Sequence, residues 1–351
     1  MTRSHQMRDK TVVVTGASAG VGRAVALRFA RAGAKLALIA RDAAALEEVK
    51  RDIESLGASA IVLPLDVVDA DAVRTSADAI AAETGAIDVW INDAMVTVFA
   101  PVWDISPEEF RRVTEVTYLG FVHGTMAALR HMRPRNRGTI IQVGSALAYR
   151  GIPLQAAYCG AKYAIRGFTD SLRTELIHAD SAIKLSMVEL PAVNTPQFDW
   201  ARTHLLRQPR PVPPVVQPEA VAEIIFRTAL KPKREVWIGT STLKAILGNM
   251  ALPQVLDRYL ARNAYSAQET PEPTSAERQD NLMTPVTALH RTHGSFGREA
   301  SNRVLAIPGP VARLMPMAAG AVAGLSIGVA LAALLSTRSP AALPHGRRRG
   351  W

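Results

Sequence analysis

Thr11-Val12-Val13-Val14-Thr15-Gly16-Ala17-Ser18-Ala19-Gly20-Val21-Gly22, followed by Arg23-Ala24-Val25-Ala26-Leu27-Arg28-Phe29-Ala30, decides the fold of this 351-residue chain. The β-branched run reads as a strand, the three glycines as a turn, and the alanine-rich stretch as a helix. Gly16 permits the tight turn, Gly20 lets the backbone approach a pyrophosphate, and Gly22 allows the helix to pack closely on the sheet. The helix N-terminus then faces the anion. Thr15, Ser18 and Val21 complete this candidate phosphate site.

Outward from that unit, strands and helices alternate, which implies a parallel sheet covered on both faces. Strands are expected at Thr11–Val14, Lys35–Ala40, Ala60–Pro64, Asp88–Ile91, Gly138–Val143, Lys184–Leu190 and Glu235–Ile238. Helices are expected to start near Gly20, Ala43, Ala70, Pro107, Gln155 and Pro218. Ser106-Pro107-Glu108-Glu109 carries a serine cap, a first-turn proline and a glutamate that closes the box. The expected architecture is α/β, a doubly wound, mostly parallel seven-stranded Rossmann sheet with a helical C-terminal extension. A nucleotide would lie across the switch point at the carboxyl ends of the strands.

A second motif lies downstream. Tyr158 and Lys162 stand four residues apart, and Ser145 ends the apolar strand that precedes them. On a helix, i and i+4 share a face, where the ammonium would favour the phenolate and lower the tyrosine pKa. Such a phenol exchanges protons near neutral pH, and Ser145 can donate to the same substrate oxygen.

With both motifs in this order, the chain resembles the short-chain dehydrogenase/reductase family in its single-domain form, from about Asp9 to about Gly239. The resemblance implies hydride transfer between a nicotinamide nucleotide and a carbonyl or secondary alcohol. Tyr158 would be the acid or base, Lys162 would tune it and hold the nicotinamide ribose, and Ser145 would orient the substrate oxygen. It further implies that Asp66, in Leu65-Asp66-Val67, contacts the adenine, with Val67 beside it. Asn92 and Ala94 would belong to the family's Asn-Asn-Ala-Gly segment, and Pro191, Val193 and Thr195 to its Pro-Gly segment, with Thr195 on the carboxamide. Three departures stand out. Asp93 and Met95 replace an asparagine and a glycine, Ala192 replaces a glycine, and Thr117 stands where many relatives carry a catalytic asparagine that relays protons through water. Thr117 is nevertheless kept among the candidate catalytic residues, because its hydroxyl can hydrogen-bond locally.

Cofactor choice turns on the end of the second strand. An acid there would hold a ribose 2′-hydroxyl, whereas a 2′-phosphate needs a cation. Ala40 takes the acid's place and Arg41 follows, favouring NADP(H) over NAD(H), unless a shift of one residue brings Asp42 into play. Beyond Thr195, Phe198 and Trp200 are candidate walls of an apolar pocket for a ketone or alcohol. A homo-oligomer is expected by resemblance.

Three segments are expected: a catalytic domain over 9–240, a helical and loop extension over 241–310 with a mobile linker at Gln268–Ser275, and a basic tail over 311–351. The +10 net charge belongs to the C-terminal part: residues 201–351 carry 19 Lys+Arg against 9 Asp+Glu, residues 1–200 22 of each. Within the tail, 317–335 is free of charge and proline and just long enough to cross a bilayer, with Gly320, Gly324 and Gly328 on one face. It reads as a transmembrane helix, or as a helix docked on the body or a partner. The catalytic body is expected to be cytoplasmic, free or on a membrane's inner face, since residues 1–8 lack an apolar segment. No metal site is expected, because His290 and His293 have no partner ligands at suitable spacing. The single cysteine, Cys159, excludes an intramolecular disulfide. Nucleic-acid binding is not expected, there being no base-reading motif. A nucleotide-bound scaffold or sensor that catalyses little is the competing class.

Overall fold

The computed structural model describes residues 7–314, so the candidate membrane helix at 317–335 lies outside the described residues. No helix among the described residues is long and apolar enough to cross a membrane. Met1–Gly309 form one compact unit and Pro310–Trp351 a second.

The central sheet contains β1 (Thr11–Thr15), β2 (Lys35–Ala40), β3 (Ser59–Pro64), β4 (Val89–Asn92), β5 (Thr139–Ser145), β6 (Lys184–Leu190), β7 (Glu235–Ile238) and β8 (Ala306–Pro308). Their order is β8-β7-β6-β5-β4-β1-β2-β3. The seven expected strands are all present and parallel; the eighth, β8, was not anticipated and runs antiparallel beside β7. It covers an edge that would otherwise expose unpaired N–H and C=O groups. The centre of the sheet is covered on both faces, every residue of β1 and β4 being buried.

The covering helices are α1 (Gly20–Ala30), α2 (Ala43–Ser55), α3 (Ala70–Thr84), α4 (Pro107–Thr114), α5 (Gly120–Met132), α6 (Ala156–His178) and α7 (Pro218–Leu230). Phe29 of α1 meets Phe226 of α7 edge to face at 5.1 Å, closing one side of the core. The capping box of Ser106 and Glu109 is formed at the start of α4. Between α4 and α5, Glu115–Leu119 form a π-helical turn. The chain order reverses between β1 and β4, and the carboxyl ends of the strands meet at that switch point.

The extension opens with α8 (Gly239–Ala251) and α9 (Pro253–Asn263), a helical pair broken at Pro253. The expected mobile linker is instead a strand over Glu269–Pro273, antiparallel to Arg207–Pro209. Proline lacks an N–H but still accepts through its carbonyl, so a proline-rich stretch can serve as an edge strand. The chain then returns across the carboxyl ends of the sheet, pairs Ala300–Ser301 with Val215–Val216, and enters β8.

Candidate active site

A cavity of about 450 Å3 lies along the carboxyl ends of β1, β2, β4, β5 and β6. Gly16 and Gly20 shape its floor with left-handed backbones, φ 73° and 56°. A Cβ at Gly22 would stand 2.2 Å from the Gly16 carbonyl oxygen, so only glycine lets α1 start this close to β1. This cradle fits the pyrophosphate of a dinucleotide.

Fourteen of the sequence-derived site residues line the cavity: Gly16, Ser18, Gly20, Val21, Arg41, Asp66, Val67, Ala94, Ser145, Tyr158, Lys162, Pro191, Val193 and Thr195. Four others stand behind it. Gly22 packs as described, and Thr15 accepts hydrogen bonds from the Asp93 and Ala94 N–H groups at 3.0 and 3.1 Å, fixing that loop. Asn92 is fully buried, accepting from Trp90 Nε1 at 2.8 Å and donating to Gln142 Oε1 at 2.9 Å and Thr125 Oγ1 at 3.1 Å. It therefore ties β4 to β5 and α5 and does not line the cavity. Thr117, also fully buried, donates to the Val96 carbonyl at 2.8 Å and accepts from its N–H at 3.1 Å. Its hydroxyl is thus bound to the loop after β4, and Thr117 does not line the cavity.

Ser145, at the end of β5, accepts from Leu147 N–H at 3.1 Å and shares the cavity wall with Tyr158. Lys162 Nζ donates to the Val143 carbonyl at 2.8 Å and sits 5.5 Å from the Tyr158 ring centroid. The expectation that Lys162 lowers the phenol's pKa is corrected. Burial raises it well above the usual tyrosine value, Ser145 opposing, and Cys159, Asp93 and Glu189 add to the rise. Burial also drives Asp93 up and Lys162 down, each partly held back by the other's charge. The Gly22 backbone N–H also opposes the rise of Asp93, so the acid that replaces the family's asparagine stands between the lysine and the glycine turn. Cys159 is a buried thiol pushed up to about 11 by burial, which makes it packing and not a redox switch.

The geometry at hand is a glycine cradle beside a serine, a tyrosine and a lysine on one cavity. Residues 10–204 match the family model described as short chain dehydrogenase. The chain belongs to that family. This short-chain dehydrogenase is 30% identical over 324 residues to a Bacillus subtilis protein named uncharacterized oxidoreductase YxnA, covering 91% of this chain and 90% of that one. A solved metagenomic short-chain oxidoreductase in complex with NADP shares 26% identity at a TM-score of 0.56, covering 66% of this chain and 96% of that one. NAD+-bound xylitol dehydrogenase shares 30% identity at a TM-score of 0.51, covering 53% and 72%. The dehydrogenase is therefore an oxidoreductase with a fold that binds nicotinamide nucleotides, and its solved neighbours carry both kinds.

At the end of β2, Arg41 and Asp42 both bond to other parts of the protein. Arg41 donates to the carbonyls of Asn281 at 2.5 Å and Met283 at 2.9 Å, so its guanidinium clamps the extension while lining the cavity. Asp42 caps α2 through Ala45 N–H at 3.1 Å, and its other oxygen lies 3.2 Å from His290 Nε2. Asp66 accepts from Arg112 at 2.5 Å and from Val68 N–H at 3.1 Å. Phe198 and Trp200 line the cavity, joined by Phe99, Leu260 and Ala264. Asn281, Pro285, Val286 and His290 line it from the extension. No local motif marks these four, because their place depends on a chain that folds back over some 240 residues. Among the described residues, no cluster of ligating side chains could hold a metal.

Proposed function

We propose that the protein reduces an apolar ketone, or oxidises the corresponding secondary alcohol, with NADP(H). The observation that carries this reading is that Ser145, Tyr158 and Lys162 share one cavity with the glycine cradle. The bound nucleotide supplies or accepts the hydride. Tyr158, held protonated by burial, gives its proton to the substrate oxygen during reduction and takes it back during oxidation. Ser145 orients that oxygen: Leu147 N–H occupies one of its lone pairs, leaving its own hydrogen to donate. Lys162, anchored on the Val143 carbonyl, presents a cation beside the tyrosine and the nicotinamide ribose. The aromatic and aliphatic walls at Phe99, Phe198, Val212 and Leu260 favour an apolar substrate.

Support for NADP(H) comes from Ala40, which offers no acid to a ribose hydroxyl, and from Asp42, which is committed to α2 and His290. Arg41 keeps its charge on the cavity wall. NADPH absorbance followed against a panel of ketones tests the reading. Tyr158→Phe is expected to lose at least about 100-fold in turnover while binding NADPH as before. Retained turnover would overturn the tyrosine's role. Ala40→Asp is expected to move preference toward NADH, and unchanged selectivity would count against NADP(H).

A further inference from the structure

Residues 281–296 contain only one short turn of regular structure, at Thr287–Leu289, yet they span the three loops that a dinucleotide would touch. At one end, Arg41 holds the Asn281 and Met283 carbonyls, and Arg112 donates to the Leu282 carbonyl at 3.1 Å. In the middle, the Arg291 carbonyl accepts from Gly20 N–H at 3.0 Å, on the glycine turn itself. The neighbouring His290 carbonyl accepts from Arg23 at 3.1 Å, while the His290 ring packs between Asp42 and Trp200, 5.4 Å from the latter's centroid. At the far end, Gly294 N–H donates to the Asn194 carbonyl at 3.2 Å and Phe296 N–H to its side-chain oxygen at 3.0 Å, beside Thr195. The segment thus crosses from the adenosine end, over the phosphates, to the nicotinamide end.

Space remains beneath it, since Asn281, Pro285, Val286 and His290 face the same cavity as the glycine cradle. Most of the fastenings are hydrogen bonds from the body to backbone groups of an irregular segment, an attachment that opens locally without unfolding the sheet.

We propose that residues 281–296 are a strap that closes over the bound nucleotide and forms the outer wall of its site, so that cofactor exchange requires the strap to lift. This rests on the nicotinamide-nucleotide reading above. The strap holds the nucleotide by enclosure, and its main effect is on release.

Two variants of the full-length protein test this. In Gly294→Ala, the added methyl would lie 2.3 Å from the Thr195 carbonyl oxygen, which forces the strap outward at its far fastening. In Arg291→Ala, the strap loses the 2.9 Å bond to Asp199. Stopped-flow displacement of NADPH by excess NADP+ is expected to show release faster by roughly tenfold in Gly294→Ala and by a smaller factor in Arg291→Ala. Hydrogen exchange of the unaltered protein should show amides in 281–296 slowing when NADPH is added. Release within twofold of the unaltered protein in both variants, or strap amides indifferent to NADPH, overturns the strap while leaving the oxidoreductase reading intact. Failure of the unaltered protein to bind either NADPH or NADH would bring down both.

Discussion

At residue 22 the absence of a side chain is a structural requirement. A Cβ there would meet Gly16 oxygen at 2.2 Å and Asp93 Oδ2 at 3.0 Å. Because the first obstacle is backbone, Gly22→Ala must displace α1 from β1. We expect it to cost about 1–3 kcal/mol, as overpacking does, and to weaken NADPH binding, both read by urea unfolding and fluorescence titration. This role was legible, since spacing alone ties a third glycine to helix–sheet packing. The electrostatics of Tyr158 and Lys162 were not. The i, i+4 rule describes exposed helix faces, whereas here burial outweighs the pairing and pushes the phenol up and the ammonium down. Asp93 now matters, because its charge resists the fall of the lysine. Asp93→Asn should let the Lys162 pKa drop further, so the limb of the pH–rate profile governed by that lysine should move to lower pH. A superimposable profile would remove Asp93 from the lysine's environment.

Among the elements, the π-helical turn at Glu115–Leu119 carries a buried threonine that reaches across to a neighbouring loop. Thr117 bonds both backbone groups of Val96, pinning the loop after β4 to the junction of α4 and α5. Thr117→Val keeps the shape but leaves a buried donor and acceptor unmet. That should cost about 1–3 kcal/mol in denaturant unfolding. A change below a few tenths of that range would mean that these bonds contribute little. Sequence placed the helix through Thr117 but neither the π turn nor its bonds to Val96, 21 positions away. The seven parallel strands, by contrast, were legible nearly to the residue, because most are apolar runs bounded by turn signals. The strand at Glu269–Pro273 was read as a linker for a related reason: its prolines and exposed carboxylates resemble loop composition, and only its pairing with Arg207–Pro209 identifies it.

Across the unit that spans Met1–Gly309, the extension and the glycine-turn sheet line one cavity, and their junction carries a buried histidine. His290 lies in the last part of the extension and Asp42 at the start of α2, with side chains 8% and 7% exposed and 3.2 Å apart. Burial lowers the His290 pKa below its ordinary 6.5; Asp42 and Glu48 oppose the shift, while Arg23 adds to it. Between the lowered folded value and 6.5, the unfolded chain therefore binds the proton more readily than the folded one. Stability rises with pH through that window, and its contribution from His290 is lost on acidification below about 6.5. The thermal midpoint should accordingly fall between pH 7.5 and pH 5.5 by more in the unaltered protein than in His290→Gln, which cannot titrate there. Hydrogen exchange at residues 281–296 should accelerate over the same interval, since protonation of a buried imidazole favours exposure of the segment that carries it. Equal pH dependence in the two proteins would show that other groups, such as Glu109, whose pKa is held low, control the acid limb instead.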